Sequence, residues 1–75
     1  MFEQIVEIIS KQLKAEAENI TPETNIIEDL SADSLDVAEL LIEIEAAFGV
    51  TVPDEDVPGL KTVQDIVDYV ESRQG

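Results

Sequence analysis

Between Leu35 and Phe48 the sequence carries two apolar stripes on one helical repeat, and no other feature restricts the fold as strongly. Placed at about 100° per residue, Val37, Leu40, Leu41, Ile44, Ala47 and Phe48 form a broad face, while Leu35, Ala38 and Ile42 fall nearly opposite. The broad face must pack on a core. The narrow one is either covered as well, in a helix buried all round, or left open as an apolar patch. Asp36, Glu39 and Glu43 run along one flank of it and Glu45 lies beyond the other. A small apolar centre with a charged rim is the layout of a transient docking surface. Residues 1–75 make one domain, and a chain of 75 residues buries a smaller share of its surface than a larger protein. That makes full burial of a helix difficult and argues against a deep enzyme cleft.

The rest of the chain supplies what such a helix packs against. Phe2, Ile5, Val6, Ile9 and Leu13 recur at helical spacing, which predicts an amphipathic helix from Phe2 to about Ala15. The pattern then loosens, and Thr21-Pro22 offers a cap and a first helical position for one turn. Ile20, Ile26, Ile27 and Leu30 are too apolar for a solvated linker, so this long loop is expected to lie across the helices and anchor itself through them. Gly49 ends the central helix, and Val50-Thr51-Val52 before Pro53 reads as extended. Asp54 to Leu60 has room for a helical turn at most. Thr62 and Asp65 form a capping-box pattern ahead of Val63, Ile66, Val67 and Val70, predicting a last helix from Val63 to about Glu71 or Ser72. The fold class is all-α: three main helices plus one short helix, with a long first loop.

Charge and missing residue types narrow the function. Eighteen acidic residues stand against four basic ones, a formal net charge of −14, yet a 44% hydrophobic content is ordinary for a folded domain. So strong an acidic excess repels polyphosphate surfaces, which argues against nucleic acid and anionic membrane surfaces as partners, and basic protein surfaces or cations are expected. The sequence has no cysteine and no histidine. It therefore has no thiolate nucleophile, no zinc-thiolate site and no Ser-His-Asp arrangement. The start at Met1-Phe2-Glu3 lacks the basic and apolar regions of a signal peptide, and no apolar run approaches a membrane span, so a cytoplasmic protein is expected.

Two acidic segments are candidate sites. In Asp33-Ser34-Leu35-Asp36, Asp33 is placed as the N-cap of the central helix with Asp36 three residues on, so Ser34 falls in the first turn. There the free N–H groups and the helix dipole favour an anion such as a phosphate ester. Without a histidine to activate it, the serine suits modification by another protein; a plain capping role is the alternative. From Asp54 to Asp65 the acids match a calcium loop at the first, third and last positions, with Gly59 at the sixth. Pro58 offers no ligand at the fifth position, and the last is Asp65 in place of a bidentate glutamate. This leaves at most a weak acidic site around Asp54 and Asp56, with a solvated acidic turn as the alternative.

The segment Asp29-Leu30-Ser31-Ala32-Asp33-Ser34-Leu35-Asp36 followed by Glu39-Leu40, with Phe48, Val52-Pro53-Asp54-Glu55 and Thr62-Val63, resembles an acyl carrier protein over essentially the whole chain. The resemblance implies a four-helix bundle whose Asp-Ser-Leu serine, here Ser34 between Asp33 and Leu35, carries 4′-phosphopantetheine placed there from coenzyme A by a phosphopantetheinyl transferase. The arm ends in a thiol that bears acyl groups as thioesters, so the protein is a substrate and shuttle, not an enzyme. Partner enzymes of the family present basic patches to the second helix, which here would meet Asp36, Ala38, Glu39, Ile42, Glu43 and Glu45, the narrow stripe and its rim. The core beside that helix, around Leu40, Ile44 and Phe48, would shelter an acyl chain. Three residues depart from the family pattern: Ser31 stands where glycine is usual, Ala46 where an acid is common, and Pro58-Gly59 interrupts the short third helix. A free-standing, monomeric carrier for fatty-acid synthesis is the first reading. A carrier for a polyketide, aminoacyl or other specialised pathway is the alternative, and an acidic cation-binding or adaptor module without a prosthetic group is an alternative of a different class.

Overall fold

The computed structural model describes residues 1–74. Three α-helices are present: α1, Phe2–Leu13; α2, Ser34–Phe48; and α3, Val63–Gln74. Two 3₁₀ helices, Ala17–Asn19 and Asp54–Gly59, lie in the connections, and α1 packs against both α2 and α3. Ile5, Ile9, Leu40, Ile44, Val63 and Val70 are fully buried where the three meet. The expected all-α bundle is therefore observed, with two short helices where the sequence predicts one. No helix among the described residues is long and apolar enough to cross a membrane.

Local chemistry sets each boundary. The α1 helix stops at Leu13, short of the predicted Ala15, because Lys14 turns left-handed (φ 55°) and the N–H groups of Lys14 and Ala15 both donate to the Ser10 carbonyl. A single hydrogen-bonded turn forms at Thr21-Pro22, with Thr24 N–H donating to Thr21 O at 3.0 Å, and a separate 3₁₀ helix, Ala17–Asn19, precedes it. Thr62 and Asp65 make the expected reciprocal cap on α3, which runs on to Gln74, past the predicted end. Pro58 does not interrupt the third helix but lies within it. A proline has no N–H and its ring clashes with an α-helical carbonyl four residues back, so this segment takes the tighter 3₁₀ winding.

The long loop is stitched to the start of α3 by backbone bonds. Gln64 N–H donates to Pro22 O at 2.9 Å, Val63 N–H to Thr24 O at 3.0 Å, and Ile26 N–H to Lys61 O at 2.9 Å. The first two satisfy N–H groups at the start of α3 that would otherwise lack partners. Ile20 and Ile26 are buried anchors as expected, and Leu30 packs at the core's edge. Ile27 is not an anchor: it is 53% exposed. The Asn25 side chain accepts from the N–H groups of both Ile27 and Glu28, a tight turn in which Ile26 takes the core position and its neighbour is left outside. Ala47 is also exposed, contrary to its place in the broad stripe. It stands at the edge of that face in the last turn, where a methyl group brings little area to bury.

Ser31, just before α2, has φ 55°, a left-handed conformation at a non-glycine residue. Ser31→Gly is expected to raise stability by about 0.5–1 kcal/mol, the relieved strain less the greater freedom of glycine in the unfolded chain. Thermal melts of the two proteins check this.

Candidate functional site

Ser34 is the first residue of α2. Asp33 before it is extended (φ −95°, ψ −177°) and its Oδ1 accepts from Asp36 N–H at 2.9 Å, while Asp36 Oδ2 accepts from Asp33 N–H at 3.3 Å. Both neighbouring carboxylates are thus engaged by backbone, which fixes the helix start. Ser34 itself is exposed, and its hydroxyl makes no hydrogen bond among the described residues. Its position is fixed by the cap, and the chain has no histidine to act as a base beside it.

Two grooves open from Ser34. One, of about 410 Å³, runs between the long loop and the 3₁₀ helix Asp54–Gly59, walled by Ile27, Val37, Val57, Pro58 and Leu60 with Lys61 at its rim. The other, of about 290 Å³, lies on the far side of Val57 against Ala38, Leu41, Ile42 and Val52, with Glu45 and Asp54 at its edges. Leu40 and Ile44 line neither groove, being fully buried in the core, and half-buried Phe48 lies at the opposite end of α2. An exposed hydroxyl at a helix mouth, with apolar channels leading from it, fits a phosphate-linked arm bearing an apolar cargo.

The narrow stripe of α2 is open: Leu35 is 63% and Ile42 60% exposed, with exposed Ala38 between them. The alternative of a helix buried all round is excluded. Glu39 and Glu43 are exposed on its flank, and Glu39 also accepts from Gln12 Nε2 of α1 at 3.0 Å. Glu45 differs from Glu39 and Glu43. It is half-buried and accepts from Val52 N–H at 2.6 Å, so it closes the connection after α2.

Asp56 binds within the protein: it accepts from Tyr69 Oη at 2.8 Å and pairs with Arg73 at 3.3 Å, and that guanidinium lies 4.8 Å from the Tyr69 ring centroid. The cluster ties the short helix, and hence Val57, to α3. Among the described residues no three carboxylates are placed to share a metal ion, and Asp54 and Asp56 form no such group. Partial burial, and then the bond to Asp56, raise the Tyr69 phenol above its ordinary 10.0. A raised folded-state value means that its stabilising contribution is complete below the unfolded value and lost as pH rises through the folded one. Stability is therefore expected to fall in alkali above about pH 10, and Tyr69→Phe is expected to flatten that fall; melts across the alkaline range check it.

Ile27, Val57, Leu60 and Lys61 line the larger groove with Ser34, and the sequence motifs do not mark them. For the first three the one local signal is an apolar side chain inside an acidic segment, as at Val57 after Asp54-Glu55-Asp56, and Lys61 has none.

Comparison with known proteins agrees with this geometry. Residues 3–70 match the family model described as a phosphopantetheine attachment site. An acyl carrier protein of Syntrophobacter fumaroxidans is 54% identical over 67 residues, 89% of this chain and 83% of that protein. One from Helicobacter hepaticus is 42% identical over 97% of this chain and 96% of its own length. Among solved structures, the acyl carrier protein of Enterococcus faecalis superposes with a TM-score of 0.82 at 39% identity, over 96% of this chain and 91% of that one. A serine exposed at a capped helix mouth, in a bundle of this topology and with this much shared sequence, has one family to belong to: the chain is a member of the acyl carrier proteins, which bear phosphopantetheine.

Proposed function

We propose that Ser34 is the attachment point and that residues 1–75 act as a single carrier domain, shuttling acyl groups between enzymes of fatty-acid biosynthesis. The observation that carries this is the exposed, unbonded Ser34 hydroxyl at the head of α2 with two apolar grooves leading from it. The bound group supplies a thiol, the chemistry that this cysteine-free chain lacks. The chain supplies only the accepting oxygen. Asp33 and Asp36 hold the helix start, so the base that removes the serine proton comes from the transferase. The protein is in this reading a substrate and not a catalyst, monomeric and cytoplasmic. Short cargo rests against the groove walls, and longer cargo reaches the core at Leu40, Ile44 and Phe48.

Leu35, Ala38 and Ile42 form the apolar centre of the docking face for the transferase and the synthase enzymes, with Asp36, Glu39 and Glu43 as its rim and Glu45 at its margin. Rim charges act mainly on encounter rate. Glu39→Lys is expected to slow loading about tenfold at low salt, with a melting temperature close to the parent's because the side chain is exposed. The difference should shrink as salt shortens the screening length. Loading rates at two ionic strengths check this. The function itself is tested by exposing the loaded chain to an acyl-coenzyme A and an acyl-transferring enzyme. A hydroxylamine-labile acyl group on the chain supports the carrier reading; a loaded chain that accepts none contradicts it.

A further inference from the structure

Both grooves begin at Ser34 and share Val57, so an arm on that serine has two places to lie. Their walls are alike in apolar character, but their charges are not. The smaller groove is edged by two carboxylates, Glu45 and Asp54, and by no cation. The larger one has Glu28 and also Lys61, one of only four basic residues in a chain of net charge −14. Lys61 is held at the root. Its N–H donates to Asp65 Oδ2 at 3.2 Å and its carbonyl accepts from Ile26 N–H at 2.9 Å, and the adjoining Thr62 bridges to Asn25. Its exposed ammonium, by contrast, has no carboxylate within 4.0 Å among the described residues, whereas Lys11 and Arg73 are both paired. A fixed backbone with an unpaired cation, on the wall of a groove that starts at the attachment oxygen, complements a phosphodiester; two carboxylates repel one.

Given Ser34 as the attachment point, we infer that Lys61 binds the phosphodiester of the arm and so directs the arm into the groove between the long loop and the short helix, away from the one beside Ala38 and Ile42. This leaves the docking stripe uncovered while the arm is at rest. Pairing at a solvent-facing site biases a choice between two positions by about two- to fivefold.

The test uses the full chain, labelled with nitrogen-15, loaded with phosphopantetheine and coupled at the arm's thiol to a maleimide nitroxide, which broadens nearby amide signals. Broadening is expected to be stronger at Ile27 and Leu60 than at Ala38 and Val52. Lys61→Gln should reduce that ratio about two- to fivefold, and Lys61→Glu should reduce it further. Neither variant removes a side-chain bond, and unchanged amide spectra before loading verify the fold. Equal or stronger broadening at Ala38 and Val52 in the parent, or a ratio indifferent to both substitutions, overturns the inference. A chain that gains no mass on loading overturns the Ser34 reading as well, and is distinguished from those results by mass before any spectrum is recorded.

Discussion

Leu40→Ala is expected to lower the melting temperature by on the order of 10–40 °C, whereas Leu35→Ala, five residues earlier on the same helix, is expected to leave it nearly unchanged. Leu40 is 0% exposed at the meeting of the three helices, and Leu35 is 63% exposed on the opposite stripe. Truncating a buried leucine removes its transfer energy and leaves a cavity, together about 2–5 kcal/mol. In a domain of this size each kilocalorie shifts the midpoint by about 4–8 °C. Total stabilities of about 5–15 kcal/mol make such a loss a large fraction of the whole. Leu35 buries little on folding, so the same truncation has little to remove. Its effect belongs to binding. As the apolar centre of the proposed docking face it is expected to slow loading about tenfold, as central interface anchors do. The pair separates the two stripes: one variant loses the fold and the other loses the partner. Equal melting temperatures for the two variants would contradict the assignment of the stripes.

How much of this was legible in the sequence follows from which forces are local. The cap at Asp33 and Asp36 depends on residues three apart, and the two faces of α2 depend on a fixed angular step, so both are written in the order of the residues. The grooves are not. They exist because carbonyls of Pro22 and Thr24 and the N–H of Ile26 meet the chain around residues 61–64, and backbone bonds of this kind leave no mark in side-chain type. Thus Ile27 passed for a core anchor, and Val57, Leu60 and Lys61 for parts of an acidic turn. Leu40 and Ile44 show the converse: periodicity places them on the core face, but not beneath or beside a particular opening. Glu45 reads from the sequence as an acid of the docking face and Asp56 as part of a weak acidic site, but each is held by a partner from another part of the chain, Val52 N–H for one and Tyr69 with Arg73 for the other. The positive φ of Ser31 was foreshadowed only by the absence of a glycine there.

Ser34→Ala is expected to abolish loading outright and leave the fold intact. The Ser34 hydroxyl makes no hydrogen bond among the described residues, and the bonds that start α2 run between Asp33 and Asp36 and from Val37 N–H to Asp33 O, all of which the variant retains. Alanine is moreover a better helix residue than serine at an exposed position. Loss of loading in a chain that melts like its parent therefore reports the missing oxygen and not a damaged domain. Of the other serines, Ser10 and Ser72 lie within α1 and α3, and Ser31 sits in the left-handed turn that precedes α2 and not in its first helical turn. The most direct measurement is intact mass after incubation with coenzyme A, magnesium and a phosphopantetheinyl transferase. One phosphopantetheine on the parent chain and none on Ser34→Ala is the expected result; an unmodified parent, or a variant that still gains the group, would contradict the account.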